Sequence, residues 1–529
     1  MLFTSYGFLL FLAVVLVASR ICPGKHRWKL LLIASLVFYG MSGLKYLAYI
    51  STTIISTYVC GRMIGELHNK QGAYLLAHKD SLTREDKKLY KAANKRSRLK
   101  WAVVCLLMNF GILAIVKYAD FAILNINALL RAGSGKDIAF FRFALPMGIS
   151  FYTFMTMGYI VDVYRGTIQA ERNLFKLALF TSFFPQVIQG PISRYGDLSE
   201  TLFSERKAGV KELSFGLQRV LLGFFKKMVI ADRLIIAVKA ISTNTAEYQG
   251  AYVLAVALLY AVTLYADFTG GIDITIGIAE ALGVKIKENF NRPFYAISTA
   301  DYWRRWHITM GTWFRDYLFY PISVSKPMLK LSKRARASLG ENLGKRVPVY
   351  LSTIIVWFAT GIWHGASWNF VVWGLLNGFV LIVSEEFTPL YRWFHKTFKV
   401  GRTAVYRAFQ IIRTFCLMSL IRTLDVYGSV STTFRLMWTA VTRLDLRGFI
   451  SGGLSRLGLT VADCAVATIG VAALIIIGHV QKTTDIRELL ARSAAPLRYC
   501  VFLALVFSVI IFGVYGVGYD ANQFIYNRF

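Results

Sequence analysis

Apolar runs of roughly 17–22 residues, about the length that crosses a hydrocarbon core, recur from one end of this 529-residue chain to the other. Nothing else in the sequence limits the fold so strongly. Backbone inside lipid must satisfy its N–H and C=O groups internally, so runs of this length imply helices. The expected fold class is all-α, a polytopic bundle of membrane helices with re-entrant or interfacial pieces, forming one membrane domain over residues 1–529. Composition agrees: 56% of residues are hydrophobic and only 17% charged, too few to coat a soluble protein of this size. Met1–Ser19 lacks a basic n-region and a small-residue cleavage site, so it reads as a first membrane helix rather than a signal peptide.

The net charge of +32 would suit a nucleic-acid binder, but its placement argues otherwise. Lys and Arg crowd the segments between apolar runs, where positive charge marks the cytoplasmic side and meets anionic headgroups. Membrane lipids are the expected partners, and no nucleic acid. Leu67–Lys100, the most polar segment, sets Lys87, Lys88, Lys95, Arg96 and other basic residues against only Asp80, Glu85 and Asp86, and reads as a cytoplasmic loop. Counting back puts Lys25 and Arg27 inside and the N-terminus outside. Lys482, Arg487, Arg492 and Arg498 keep the segment before the last span inside, so residues 518–529 emerge outside. The expected location is the cell membrane, with both termini extracytoplasmic. Six cysteines without a CxxC pair point to neither a disulfide framework nor a metal site.

Several runs depart from plain helix. LPMGISFYTF carries Pro146 and Gly148, and FPQVIQGPISRY carries Pro185, Gly190 and Pro191. Each is either a re-entrant, cavity-lining piece or an ordinary kinked helix. Lys211–Ala240 mixes Leu213, Leu217, Val220 and Phe224 with Lys226, Lys227, Asp232 and Arg233, a pattern that suits a helix lying in the interface. Asp267, Asp273 and Glu280 within the apolar run Tyr252–Leu282 imply a hydrated interior rather than lipid contact. Thr403–Leu444 scatters arginines, among them Arg413 and Arg422, through apolar turns, and its crossings cannot be placed. No internal repeat of the transporter kind is visible.

Lys287–Gly378 is the stretch the rest serves. Trp303, Trp306, His307, Met310, Trp313, Phe314 and Tyr317 recur at helical spacing, predicting one helix over Ala300–Pro321 with an aromatic stripe that includes His307. A basic loop follows, then a hairpin, Val347–Trp363 up and Ser367–Ser384 down, with His364 at its tip. An ionisable group at membrane depth is a functional hypothesis by default. Against it stands the ordinary reading of a packed, hydrogen-bonded histidine, which one imidazole alone does not displace. Two imidazoles among tryptophans and arginines favour a reaction centre. His479, ending a plain apolar run, reads as interfacial.

NFNRPFYAIS, DYWRRWHITMGTWFRDYLFYPI and GIWHGASWNFVVWGLLNG together resemble the membrane-bound O-acyltransferase superfamily, and most closely its alginate O-acetyltransferase branch. LPMGISFYTF, FPQVIQGPISRY and LLGFFKKMVIADRL match as well. The resemblance runs from Met1 to about Glu385, while Arg392–Thr442 matches weakly. It implies helices around a tunnel joining the cytoplasm to the outside, a catalytic core at 287–378, and acyl transfer to a hydroxyl with acetyl-CoA as donor substrate. It also implies His364 as general base and His307 as its orienter or as a carbonyl-polarising group. Arg304, Arg305 and Arg315 are candidates for the coenzyme A phosphates.

The ending FIYNRF resembles the FIYNEF ending of the small membrane protein of teichoic-acid D-alanylation, with Arg528 in place of the glutamate. By that resemblance residues 518–529 form an acyl-relay tail. Tyr526 would accept acetyl and pass it to an extracytoplasmic serine esterase-like acetyltransferase serving an envelope polysaccharide. The bland reading of the tail is an aromatic interfacial anchor. Competing functions are D-alanyl or other acyl transfer to envelope polymer or lipid, and a transporter or flippase with proton-relay histidines.

Overall fold

A computed structural model describes residues 3–133, 135, 137–450 and 455–515. Among them are helices and helical turns and no strand. Among the described residues seven helices are long and apolar enough to cross a membrane, including Ala251–Ala281, Val347–His364, Trp368–Glu386 and Val461–Val480. The protein is a multi-pass, all-helical membrane bundle. Packing divides it into two compact units, one from the chain up to Gly216 with Ile278–Lys287, the other from Leu217–Gly277 and the chain from Glu288 onward.

In the first unit the basic segment expected as a loop is mostly helix. Tyr46–Ala77 and Arg84–Gly133 run far beyond their apolar portions and leave only residues 78–83 between them. Lys, Glu, Arg and Ala are strong helix formers, and the second helix is capped reciprocally: Asp86 N donates to Thr83 Oγ1 (3.1 Å) and Thr83 N to Asp86 Oδ2 (3.2 Å). Both proline-bearing runs are broken rather than kinked. Gly148 sits at φ 69° ahead of helix Ile149–Arg165, and a Cβ there would collide with the Val187 carbonyl. Leu174–Ser182 and Phe184–Val187 are followed by non-helical residues 188–194, all but the last buried. Irregular backbone is tolerated at membrane depth where protein covers it.

The second unit overturns the interfacial reading of Lys211–Ala240. A π-helical stretch, Phe225–Ala231, separates Val210–Phe224 from Asp232–Thr243. An i→i+5 turn shifts the register that a 3.6-residue period assumes, and Lys226, Lys227, Asp232 and Arg233 are buried instead of wet. Lys227 Nζ meets Asp267 Oδ1 (2.6 Å) and Asp232 Oδ1 (2.7 Å), while Lys226 Nζ meets Asp273 Oδ2 (2.6 Å). Arg219 joins Asp273 (2.9 Å) to Glu288 (2.6 Å). Asp267 and Asp273 of Ala251–Ala281 therefore face cations inside the protein. Removing one partner from such a pair leaves a buried charge uncompensated, so the network is held together as a whole.

Candidate active site

Val347–His364 and Trp368–Glu386 form the expected hairpin. Its helices approach closely because glycines face each other: a Cβ on Gly361 would strike the Phe370 carbonyl, and one on Gly374 the Trp357 carbonyl. Small residues at a membrane helix contact permit this approach. His364 is the last residue of the first helix. Its imidazole, 5% exposed, packs edge-on to Trp373 (ring centroids 4.7 Å) and Trp363 (4.9 Å).

His307 is reached differently, and the single helix expected over Ala300–Pro321 does not form. Thr299–Arg305 ends, His307 adopts a left-handed conformation (φ 47°, ψ 52°), and Ile308–Phe314 begins, followed by a π turn at Arg315–Phe319. A left-handed non-glycine residue costs about 1–3 kcal/mol and persists only where its surroundings hold it. Asn289 does so. Its Oδ1 accepts from Thr309 N (3.1 Å) and Thr309 Oγ1 (2.9 Å) and lies 3.3 Å from His307 Nδ1, while its own carbonyl accepts from Ile308 N (2.9 Å). Asn291 N adds a bond to the Arg305 carbonyl (2.9 Å). The stripe is buried as expected at Trp306, His307, Met310, Trp313 and Phe314, although the backbone beneath it is broken.

The break aims the His307 ring at Phe268 (5.0 Å) and at Trp363 (5.8 Å). Both imidazoles thus contact one indole, that of Trp363. Around them Trp303, Trp306 and Trp373 enclose Arg422, whose guanidinium lies 4.8–5.7 Å from the three ring centroids and pairs with Asp425 (2.9 Å).

A cavity of about 1010 Å³ runs beside the hairpin. Its lining runs from Lys345, Arg346 and Arg392 to Trp357 and Thr360 and includes Trp303, Trp306 and Ile308. Thr360 lies one helical turn before His364. Arg304 and Arg315 line this cavity, Arg315 beside Asp316 (2.8 Å). Arg305 is turned to Asp301 (3.0 Å), which Arg304 also approaches (3.5 Å). A second cavity of about 540 Å³ is lined by Arg219, Lys226, Asp273 and Glu288, and Ile308, next to His307, borders both. Tyr526 lies outside the described residues. Sequence reasoning gave no role to Asn289 or to Arg422 with Asp425. Asn289 stands within the NFNRPFYAIS motif, a signal that was present. Arg422 carried none, being one arginine among several in a stretch without a clear period.

The sequence profile of the membrane-bound O-acyltransferase family (MBOAT) matches residues 168–426. Among curated relatives, a probable alginate O-acetylase AlgI of Azotobacter vinelandii is 32% identical over 387 residues, covering 73% of this chain and 69% of the relative. A peptidoglycan O-acetyltransferase of Helicobacter pylori is 29% identical over 404 residues, covering 69% and 66%. A teichoic acid D-alanyltransferase of Bacillus subtilis is 28% identical over 259 residues, covering 47% and 61%.

Proposed function

Because the chain belongs to the membrane-bound O-acyltransferase family, we propose that it moves an acetyl group from cytoplasmic acetyl-CoA across the membrane for O-acetylation of a cell-envelope or secreted polysaccharide. One observation carries the site assignment. Both imidazoles meet at Trp363, one turn from the end of a large cavity whose far end is basic. The likeness to enzymes named for alginate and peptidoglycan O-acetylation supports the substrate class.

In this reading His364 is the general base. It takes the proton of an acceptor hydroxyl as that oxygen attacks the thioester carbonyl, and returns the proton to sulfur as the C–S bond breaks and the thiol leaves. A neutral imidazole, with one ring nitrogen that accepts a proton and one that donates, suits both transfers. His307, which meets the same indole, orients His364 or polarises the thioester carbonyl. Arg304 and Arg315 meet the donor phosphates through charge-assisted hydrogen bonds, and Arg305, engaged with Asp301, holds the end of its helix. The acceptor is Tyr526, which delivers acetyl outside to a serine esterase-like transferase.

Intact-mass analysis of the C-terminal peptide, after reconstituted protein is incubated with acetyl-CoA, tests this reading. Acetyl on Tyr526, absent from Tyr526→Phe, is expected. A Tyr526→Phe variant that supports normal polymer acetylation overturns the relay, and a D-alanyl mass on the same peptide of protein isolated from its own cells replaces the donor.

A further inference from the structure

Arg422 has no place in that mechanism, yet it is buried against Trp373, one of the two indoles that His364 touches. It ends helix Ala404–Arg422, and the turn after it, Thr423–Asp425, folds back toward the hairpin tip. Asn369, five residues beyond His364, clamps that turn: its Nδ2 donates to the Leu424 carbonyl (3.0 Å) and the Tyr427 carbonyl (2.6 Å). Asp425 Oδ2 accepts from Arg422 Nη1 (2.9 Å), with both side chains buried.

The guanidinium lies 4.8 Å from the Trp373 ring centroid, and the His364 ring lies 4.7 Å from the same indole. Trp373, fully buried, therefore touches both a fixed cation and the imidazole. A planar guanidinium stacks on indole faces and pairs with a carboxylate at once, which an ammonium does less well. Trp303 (5.7 Å) and Trp306 (5.1 Å) complete the cage. Trp306 directly precedes the strained His307, so one cation contacts both the indole packed on His364 and the indole next in chain to His307.

We propose that Arg422, fixed by Asp425, is a positioning residue for acyl transfer, pinning the Trp373 indole so that His364 keeps its working orientation. The inference rests on His364 as the reacting base. It explains why a buried ion pair, which well-packed apolar residues commonly replace without loss of stability, stands at this place in the fold.

Four proteins decide it: wild type, Arg422→Lys, Arg422→Met, and Arg422→Met with Asp425→Leu. The double variant removes both charges together and is expected to fold with an unfolding temperature close to wild type. Its KM for acetyl-CoA should stay within about twofold while kcat falls about tenfold to a hundredfold, the scale on which a small misplacement slows catalysis. Arg422→Lys should recover part of that loss. Wild-type kcat in the double variant overturns the proposal and leaves the pair a packing element. An electron cryomicroscopy structure of the double variant gives a readout independent of donor. Displacement of the His364 ring from its contact with Trp373 is expected, and an unmoved ring overturns the proposal. Should wild type release no thiol from acetyl-CoA, the donor assignment fails and the ring geometry still decides this one.

Discussion

The hairpin that carries His364 and the broken segment that carries His307 hold their imidazoles by opposite means. The hairpin is regular backbone, its helices brought together by Gly361 and Gly374, and His364 lies where a helix simply ends. The other segment is two short helices around a left-handed residue, held by one buried asparagine. The contrast separates two ways of placing a polar group inside a membrane protein. One uses helix length and close packing; the other accepts local strain and offsets it with hydrogen bonds. The strained side is therefore the more easily disturbed by changes outside the histidine itself.

The largest expected effect that sharpens this comparison is at Asn289. Asn289→Ala removes the acceptor shared by Thr309 N and Thr309 Oγ1. Leaving buried groups unsatisfied costs about 1–3 kcal/mol each, so a loss of about 3 kcal/mol in thermal or denaturant unfolding is expected, with activity falling alongside. A variant as stable as wild type would mean that the turn holds itself.

Glycine exchange gives the next effect. Glycine is favoured at the positive φ of position 307 and disfavoured in the helix at 364, by about 0.5–1 kcal/mol each. His307→Gly should therefore destabilise by about 1–2 kcal/mol less than His364→Gly, since both lose one buried imidazole. Equal losses would erase the distinction between strained and regular backbone. At the hairpin base, Arg346 pairs with Glu386 (2.7 Å) while both are partly exposed. Arg346→Ala should cost less than about 1 kcal/mol, as exposed pairs do, because glycine packing rather than this pair closes the hairpin. A larger loss in the same unfolding measurement would shift that credit to the ion pair.

Legibility in the sequence divides along the same line. The hairpin and its tip histidine followed from apolar length and charge asymmetry, while Pro and Gly marked the two interrupted runs without deciding between a break and a kink. All of these are local signals. Around His307 the 3.6-residue period found the buried aromatic face but not the break, because the partner that stabilises it, Asn289, lies 18 residues earlier. The amphipathic pattern places Lys226 and Lys227 in the interface, and the structure buries them, for a related reason. Their partners Asp267 and Asp273 come from another helix, and a π turn alters the register between. Arg422 shows the limit most sharply, since nothing near it in sequence marks an arginine that will be enclosed by tryptophans from two other elements.

The central claim is that the imidazole at the hairpin tip performs the proton transfer of acyl exchange. Thiol release from labelled acetyl-CoA, measured for wild type and His364→Ala in reconstituted membranes, tests it most directly. Loss of a general base lowers turnover by about 10²–10⁴-fold, and that drop, with the variant folded as wild type, is the predicted result. Undiminished turnover in His364→Ala would contradict the account.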